Sequence, residues 1–262
     1  MENGSLDQHL FNSGASSGHR RRTEAIGQWD THNSVARDIA TGLHYIHHEH
    51  EPMVLHRDIK ASNIMLDSAF CARLGDFGIA CTVAPERSSV TGFAGTIGYI
   101  APECVIKWKA TRQTDVYTFG VLVLELVSGK KNSGADIPAD DGHISYWVWR
   151  LHREGKLLEA IDGAIISGNK NHQPRHVIEE EAERLLLLGL ACTNPNPSSR
   201  PSMTEVVQVI NKVTPPPEVS LERPMLGWMP EESSSATASS EHGAAHANNQ
   251  VVAFSESTVQ LV

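Results

Sequence analysis

His56-Arg57-Asp58-Ile59-Lys60-Ala61-Ser62-Asn63 is the stretch on which the reading of this chain turns. It sets a carboxylate, an ammonium group and a carboxamide within a few residues of one another. Short apolar pieces lie around it, Met53–Leu55 before, Ile64–Leu66 and Ala72–Leu74 after. Each is too short for a helix and is bounded by polar residues, so each reads as a small strand next to a loop. Two more motifs follow in order: Asp76-Phe77-Gly78, then Ala101-Pro102-Glu103 preceded by Gly95-Thr96-Ile97-Gly98-Tyr99. Behind them residues 115–128, beginning Asp115-Val116-Tyr117, are apolar almost all round, which places that helix inside a helical domain rather than on its surface. Asp-Phe-Gly alone would be a weak signal. The three motifs in this order, with that helix behind them, are a specific one.

Outward from this centre the pattern is helical. Residues 5–12 read as a short helix capped by Ser5, followed by a polar loop holding Gly14, Gly18 and Arg20-Arg21-Arg22. From Asn33 the apolar positions Val35, Ile39, Leu43 and Ile46 recur at helical spacing, with Asn33 or Ser34 as N-cap and Pro52 beyond the end. Two further helices are predicted at 179–193 and 202–213, separated by the break Asn194-Pro195-Asn196-Pro197. Past Pro215-Pro216-Pro217 the composition shifts to Ser, Ala, Glu and Asn, with little to bury. The expected organisation is one domain over residues 1–213 and a disordered tail over 214–262.

Composition bounds the partners. The formal charge is −9 over 262 residues, which disfavours nucleic acid or an anionic membrane surface as partner. No run approaches the ~18 apolar residues of a membrane span, so no direct membrane insertion is expected. The start carries no charged region followed by an apolar stretch, unlike a signal peptide. Cys71, Cys81, Cys104 and Cys192 are scattered without a C-x-x-C pair, a usage suited to a reducing, intracellular compartment.

With its three motifs the sequence resembles the eukaryotic protein kinase family over residues 1–213, starting past the segment that links the two lobes of such enzymes. The resemblance implies a mainly α fold of the α+β family: a kinase C-terminal lobe of six or seven helices with a small β-ribbon, the N-terminal lobe being absent. It implies ATP and Mg²⁺ as cofactors, with phosphoryl transfer resting on positioning and charge neutralisation. Asp58 would take the substrate hydroxyl proton, and Lys60 would neutralise charge near the γ-phosphate. Asp76 would bind Mg²⁺ and Asn63 a second metal ion, oxygen ligands that suit a hard cation. Lys60 and Thr96 resemble the Ser/Thr-specific branch. Arg57, next to Asp58, resembles the class whose activation segment is set by phosphorylation, its guanidinium matching a phosphate bidentately. Ser88, Ser89, Thr91 and Thr96 are the candidate carriers, Ser89 and Thr91 foremost for regulation. Glu103 and Arg200 resemble the family's buried ion pair, and Asp115 the residue supporting the catalytic-loop backbone. Asn3-Gly4-Ser5-Leu6-Asp7, Asp67 and Pro197-Ser198-Ser199-Arg200-Pro201-Ser202-Met203 are similar to plant receptor-like kinases, and Leu43 to Leu66 to their legume-lectin group. Relatives of that kind are plasma-membrane receptors with the kinase on the cytoplasmic side.

Half of the family's nucleotide site has no counterpart in these residues. No G-x-G-x-x-G occurs, and the first lysine of the sequence is Lys60, inside the catalytic loop. A strand lysine pairing with a helix glutamate must come before that loop. Cys104-Val105-Ile106-Lys107 echoes V-A-I-K but follows Ala101-Pro102-Glu103. Weak Mg·ATP binding and low autonomous turnover are therefore expected. The alternative is a non-catalytic scaffold or decoy that binds other kinases or protein substrates.

Three clusters have bland readings that outweigh sharp ones. His47, His48 and His50 with Glu49 crowd one helix end, where three rings cannot readily converge on one zinc ion, so a solvated terminus is expected. Arg20-Arg21-Arg22 reads as a solvated insertion rather than a nucleic-acid patch, and Glu179-Glu180-Glu181 as a solvated helix start.

Overall fold

The computed structural model describes residues 1–11, 28–92, 94–132, 136–167 and 173–224, all within one compact unit, Met1–Gly227. The Arg20-Arg21-Arg22 stretch and residues 225–262 of the expected tail lie outside the described residues.

Helix α4, Arg112–Ser128, is the axis of the fold, buried on every side from Thr114 to Ser128 as its apolar sequence requires. Thr111 starts it through a reciprocal capping box with Thr114, and Gly129 at φ +66° ends it. Against it lies α7, Arg175–Cys192, at glycine-to-glycine distance: a Cβ on Gly120 would sit 3.0 Å from the Gly189 carbonyl oxygen and 2.6 Å from Cys192 Cβ. Helix α2, Trp29–His44, packs on α8, Met203–Ile210, and continues as a π-helical turn over Tyr45–Glu49. Helix α5 is Ile144–Arg153; the short helices α1, α3 and α6 cover Leu6–Leu10, Pro102–Lys107 and Gly163–Ser167. A continuous core runs through these helices.

The strands form three antiparallel ribbons of two strands each, where one small ribbon was expected. Strand β1, Met53–Leu55, pairs with β4, Cys81–Val83; β2, Ile64–Leu66, with β3, Ala72–Leu74; and β5, Ser89–Thr91, with β6, Lys109–Thr111. Alternation over three residues is too brief to announce β4, β5 and β6 in the sequence, and pairing supplies what propensity does not. The ribbons position the loops. Register Ile64↔Leu74 sets Asn63 beside Gly75, whose N–H donates to the Asn63 carbonyl at 2.8 Å. Register Leu55↔Cys81 closes the other end. The loops 56–63 and 75–80 are thus clamped together on both sides.

Helix starts differ from expectation. Helix α2 begins at Trp29, not at Asn33, because Trp29 and His32 extend the buried stripe by a turn. Ser5 occupies the N-cap of α1, yet its hydroxyl donates to Asp7 Oδ1 at 2.6 Å and caps no backbone N–H. Glu181 lies inside α7 and accepts from Trp29 Nε1 and Lys212 Nζ, so this residue of the acidic trio is not a solvated start. Residues 214–224, the opening of the expected tail, form neither helix nor strand and bond to Trp149 and His152 of α5. No helix of the described residues is long and apolar enough to cross a membrane.

Candidate active site

Asp115, fully buried at the first turn of α4, organises the loop that follows β1. Its Oδ2 accepts from the His56 N–H at 2.8 Å and from His47 Nε2 at 2.9 Å, and its Oδ1 from the Arg57 N–H at 2.8 Å. These bonds hold Arg57 at φ +70°, a left-handed conformation unusual for a long side chain. Arg57 then reaches across, Nε donating to the Ile79 carbonyl at 2.6 Å. His56, buried, donates from Nε2 to the Gly75 carbonyl at 3.0 Å and accepts the Asp58 N–H on Nδ1 at 3.3 Å. His47 was expected at a solvated terminus. The π-turn instead rotates it inward to Asp115, while His44 pairs with Glu49 and His50 with the Pro52 carbonyl.

Asp58 is surrounded by donors. The Thr96 hydroxyl donates to Oδ1 at 2.6 Å, and Oδ2 accepts from Asn63 Nδ2 and Lys60 Nζ, both at 2.9 Å. Lys60 also donates to Thr96 Oγ1 at 2.8 Å, closing a ring of three side chains. Burial on its own would raise the Asp58 pKa, but the bonds from Lys60, Thr96 and Asn63 and the Lys60 charge hold it below the usual carboxylate range. Asn63 spends its amide N–H bonds on Asp58 Oδ2 and the Asp58 carbonyl, leaving its amide oxygen turned away. Asp76 contrasts with this. It is exposed, sits at φ +54°, and accepts only the Gly78 N–H at 3.2 Å; Phe77 leans on the His56 ring at 4.7 Å.

The structure therefore brings Asp58, Lys60, Asn63 and Thr96 into one cluster, with Asp76 on the adjoining loop. Ser89 and Thr91 are elsewhere, on β5, with Thr91 exposed opposite Lys109. Glu103 and Arg200 form a bidentate pair at 2.6 and 2.7 Å, with Arg200 fully buried. The remaining Arg200 N–H groups reach the carbonyls of Asn194, Gln113 and Pro195.

Sequence reasoning missed Glu125 and Tyr99. Glu125 is fully buried; its Oε1 accepts the Tyr99 hydroxyl at 2.6 Å and the Asn132 N–H at 2.7 Å, and its Oε2 has no partner. Burial pushes its pKa up to about 7, against the pull of the Asn132 N–H, the Tyr99 hydroxyl and the Lys131 charge. The signal was legible: Glu125 is the one charged residue in the apolar run after Asp115.

This geometry is that of a protein kinase. Residues 1–210 match the family model described as protein kinase domain, and the chain belongs to that family. Within it the chain is similar to the lectin-bearing receptor kinases of Arabidopsis thaliana. It is 42% identical over 235 residues to the probable L-type lectin-domain containing receptor kinase S.5, covering 87% of this chain and 34% of that protein. It is 40% identical to the putative receptor kinase I.4 of the same group, over 88% of this chain and 32% of that one, and 38% identical to receptor kinase IX.2, over 97% and 36%. The chain thus spans about a third of the length of the curated relatives it matches. Among solved structures it resembles the pseudokinase domain of BIR2, an immune regulator of the RLK/Pelle family, with TM-score 0.63 and 28% identity over 81% of this chain and 58% of that one.

Proposed function

We propose that residues 1–213 are the C-terminal, substrate-handling lobe of a Ser/Thr protein kinase of receptor-like descent, and that the fully donated carboxylate of Asp58 is its catalytic base. That carboxylate carries the reading. Three donors fix both of its oxygens and keep it ionised, so its orientation is set before a substrate hydroxyl arrives. Lys60, bridging Asp58 and Thr96, lies where negative charge on a transferring phosphoryl group would need neutralising. Thr96 belongs with this cluster, as an orienting hydroxyl, rather than with the phosphate carriers Ser89 and Thr91. Glu103, Arg200 and Asp115 hold the frame.

The oxygen donors fit a hard divalent cation: the Asp76 carboxylate faces solvent, and the Asn63 amide presents its oxygen because its nitrogen is committed to Asp58. Asp76 and Asn63 would hold Mg²⁺, which when bound to ATP screens the phosphate charges. Arg57, whose terminal guanidinium nitrogens are free of the Ile79 bond, would receive a phosphate carried on the 76–103 segment. Protein substrates with Ser or Thr are the expected acceptors, on the cytoplasmic side of the membrane.

Calorimetric titration of Mg·ATP into the 262-residue chain tests the site. The residues given hold no lysine before Lys60, so weak binding that depends on Mg²⁺ and disappears in Asp76→Asn is expected. Binding untouched by Asp76→Asn would overturn the metal assignment. Micromolar affinity would overturn the view that these residues supply only part of the nucleotide pocket.

A second reading, a non-catalytic kinase-like scaffold, draws on the likeness to a pseudokinase domain. The intact Asp58, Lys60, Asn63 and Asp76 favour the first. Transfer of phosphate to a Ser peptide that is lost in Asp58→Asn would decide for catalysis, and absence of any transfer by the chain would favour the scaffold.

A further inference from the structure

Helix α5 carries a row of residues whose spacing has no part in the chemistry above. His143 at the N-cap of α5 and Tyr146, Trp149 and His152 along it follow at three-residue steps, so each neighbours the next while the row winds part-way round the helix. Along that row lies the segment Thr214–Pro224, which is neither helix nor strand. The Trp149 indole N–H donates to the Ser220 carbonyl at 2.9 Å, and His152 Nε2 donates to the Val219 carbonyl at 3.0 Å. Arg184 of α7 donates to the Thr214 carbonyl at 2.8 Å, and the Val219 side chain packs on the main core. At the far end the Arg223 guanidinium lies 3.8 Å from the centre of the Tyr146 ring. Backbone carbonyls are read by side-chain donors, and one cation by an aromatic face, which are the marks of a peptide groove rather than of chain drifting over a surface. A half-open cavity of about 410 Å³ is lined jointly by the segment, Pro217 and Ser220 among its residues, and by Trp149 and Arg200.

The row does not end at Tyr146. Its ring meets His143 edge-on at 5.9 Å. His143 caps α5, its Nδ1 accepting the Ser145 N–H at 3.1 Å, so the proton sits on Nε2 and is donated to the Gly98 carbonyl at 2.8 Å. Asn132 Nδ2 donates to the same carbonyl at 2.6 Å, and Asn132 Oδ1 accepts the Ile144 N–H at 3.0 Å. Gly98 stands at φ +92°, and a Cβ there would come 3.0 Å from that amide nitrogen. The turn that presents Thr96 to Asp58 is therefore pinned at Gly98 by two side chains, one of which belongs to the strapped helix.

We infer that residues Thr214–Arg223 are an intramolecular strap: docked on Tyr146, Trp149 and His152 of α5 and on Arg184 of α7, they steady the Gly95–Tyr99 turn through the contacts Arg223–Tyr146–His143–Gly98. Release of the strap loosens that turn without disturbing the α4–α7 core. The segment after the last helix thereby becomes an intramolecular control on the segment between Asp76 and Glu103.

Hydrogen–deuterium exchange on the full 262-residue chain tests this without any need for activity, so its failure is separable from failure of the kinase reading. Arg223→Gln, at a half-buried residue whose Nε is buried without a hydrogen-bond partner, and Tyr146→Ser, at an exposed one, are compared with Tyr146→Phe, which keeps the ring. The expected result is roughly fivefold faster exchange at the amides of Tyr99, Asn132 and Ile144 in the first two variants. Tyr146→Phe should match the wild type, and the α7 amides should stay unchanged throughout. Faster exchange confined to 214–224, or no change at all, would overturn the link to the turn. A uniform rise across α4 and α7 would also overturn it, since the strap would then be a general stability element.

Discussion

The same turn, Gly95–Tyr99, touches two acids whose pKa values move in opposite directions. Thr96 donates to Asp58 in the catalytic-loop cluster, and Tyr99 donates to Glu125 in the interior beside α4. Asp58 keeps its charge with the pKa held low, whereas Glu125 is pushed up to about 7. Both pay for desolvation. The difference lies in the company: Asp58 has an ammonium group and two neutral donors spread over both oxygens, while Glu125 has two neutral donors on one oxygen and nothing on the other. A carboxylate built to act as a base needs a neighbouring cation as well as hydrogen bonds, and one that only ties the frame together does not.

The largest effect should come from removing the frame under the first acid. Asp115→Ala strips the acceptor from the N–H groups of His56 and Arg57 and from His47, all around a fully buried position. A loss of about 3–5 kcal/mol in unfolding free energy is expected, read from urea midpoints. The carboxyl titration of Asp58 should move up as its loop loosens, while that of Glu125 stays put. Equal displacement of both would mean the two pockets are not independent.

The pH dependence of stability separates them next. Glu125 titrates near its ordinary 4.5 when unfolded and near 7 when folded. Between those values the native state binds the extra proton, so stability is full below 4.5 and is lost as pH rises through 7, on the order of 3 kcal/mol over the window. Asp58 has the opposite sign: its contribution is present above the ordinary 3.8 and fades as pH falls below it. In Glu125→Gln the slope between pH 5 and about 7 should flatten, with the acid limb below 4 unchanged. A wild-type chain whose stability rises across that upper window would contradict the assignment.

How much of this the sequence disclosed depended on whether a residue acts through a motif or through a partner. Asp58, Lys60, Asn63 and Asp76 stand in ordered motifs, and the strands 53–55, 64–66 and 72–74 fall where apolar triplets predicted them. The buried interior of α4 was equally plain, because residues 115–128 carry no polar stripe and leave no face for water. Long-range partners were hidden. Nothing local tells His47 from its exposed neighbours until the π-turn aims it at Asp115, 68 positions on. Trp29 starts α2 because α7 covers it through Glu181, a contact 152 residues away. Thr96 was singled out as a mark of the Ser/Thr branch and as a phosphate carrier, and only the fold sets it against Asp58.

A smaller change sharpens the first pocket. Thr96→Val keeps the shape of the turn but removes one donor from Asp58 and one acceptor from Lys60. The Asp58 carboxyl should titrate closer to the ordinary aspartate range, and stability should fall by about 1–2 kcal/mol. NMR titration of the side-chain carboxyl carbon reads the first, chemical denaturation the second. Unchanged titration would show that Lys60 alone holds the charge.

The smallest expected stability change belongs to the acid with the fewest partners. Asp76 is exposed, accepts a single N–H, and occupies a left-handed conformation that Asp and Asn adopt more readily than other side-chain-bearing residues. Asparagine is therefore the fair substitute: Ala would confound the loss of a carboxylate with backbone strain at φ +54°. Asp76→Asn should leave the unfolding free energy within about 0.5 kcal/mol of the wild type while removing Mg²⁺-dependent nucleotide binding. That pairing, a null effect on folding with a full effect on binding, is what an acid left free of the frame predicts. A drop comparable to that of Asp115→Ala would place Asp76 in the frame as well, and the contrast between a fully donated carboxylate and an exposed one would be lost.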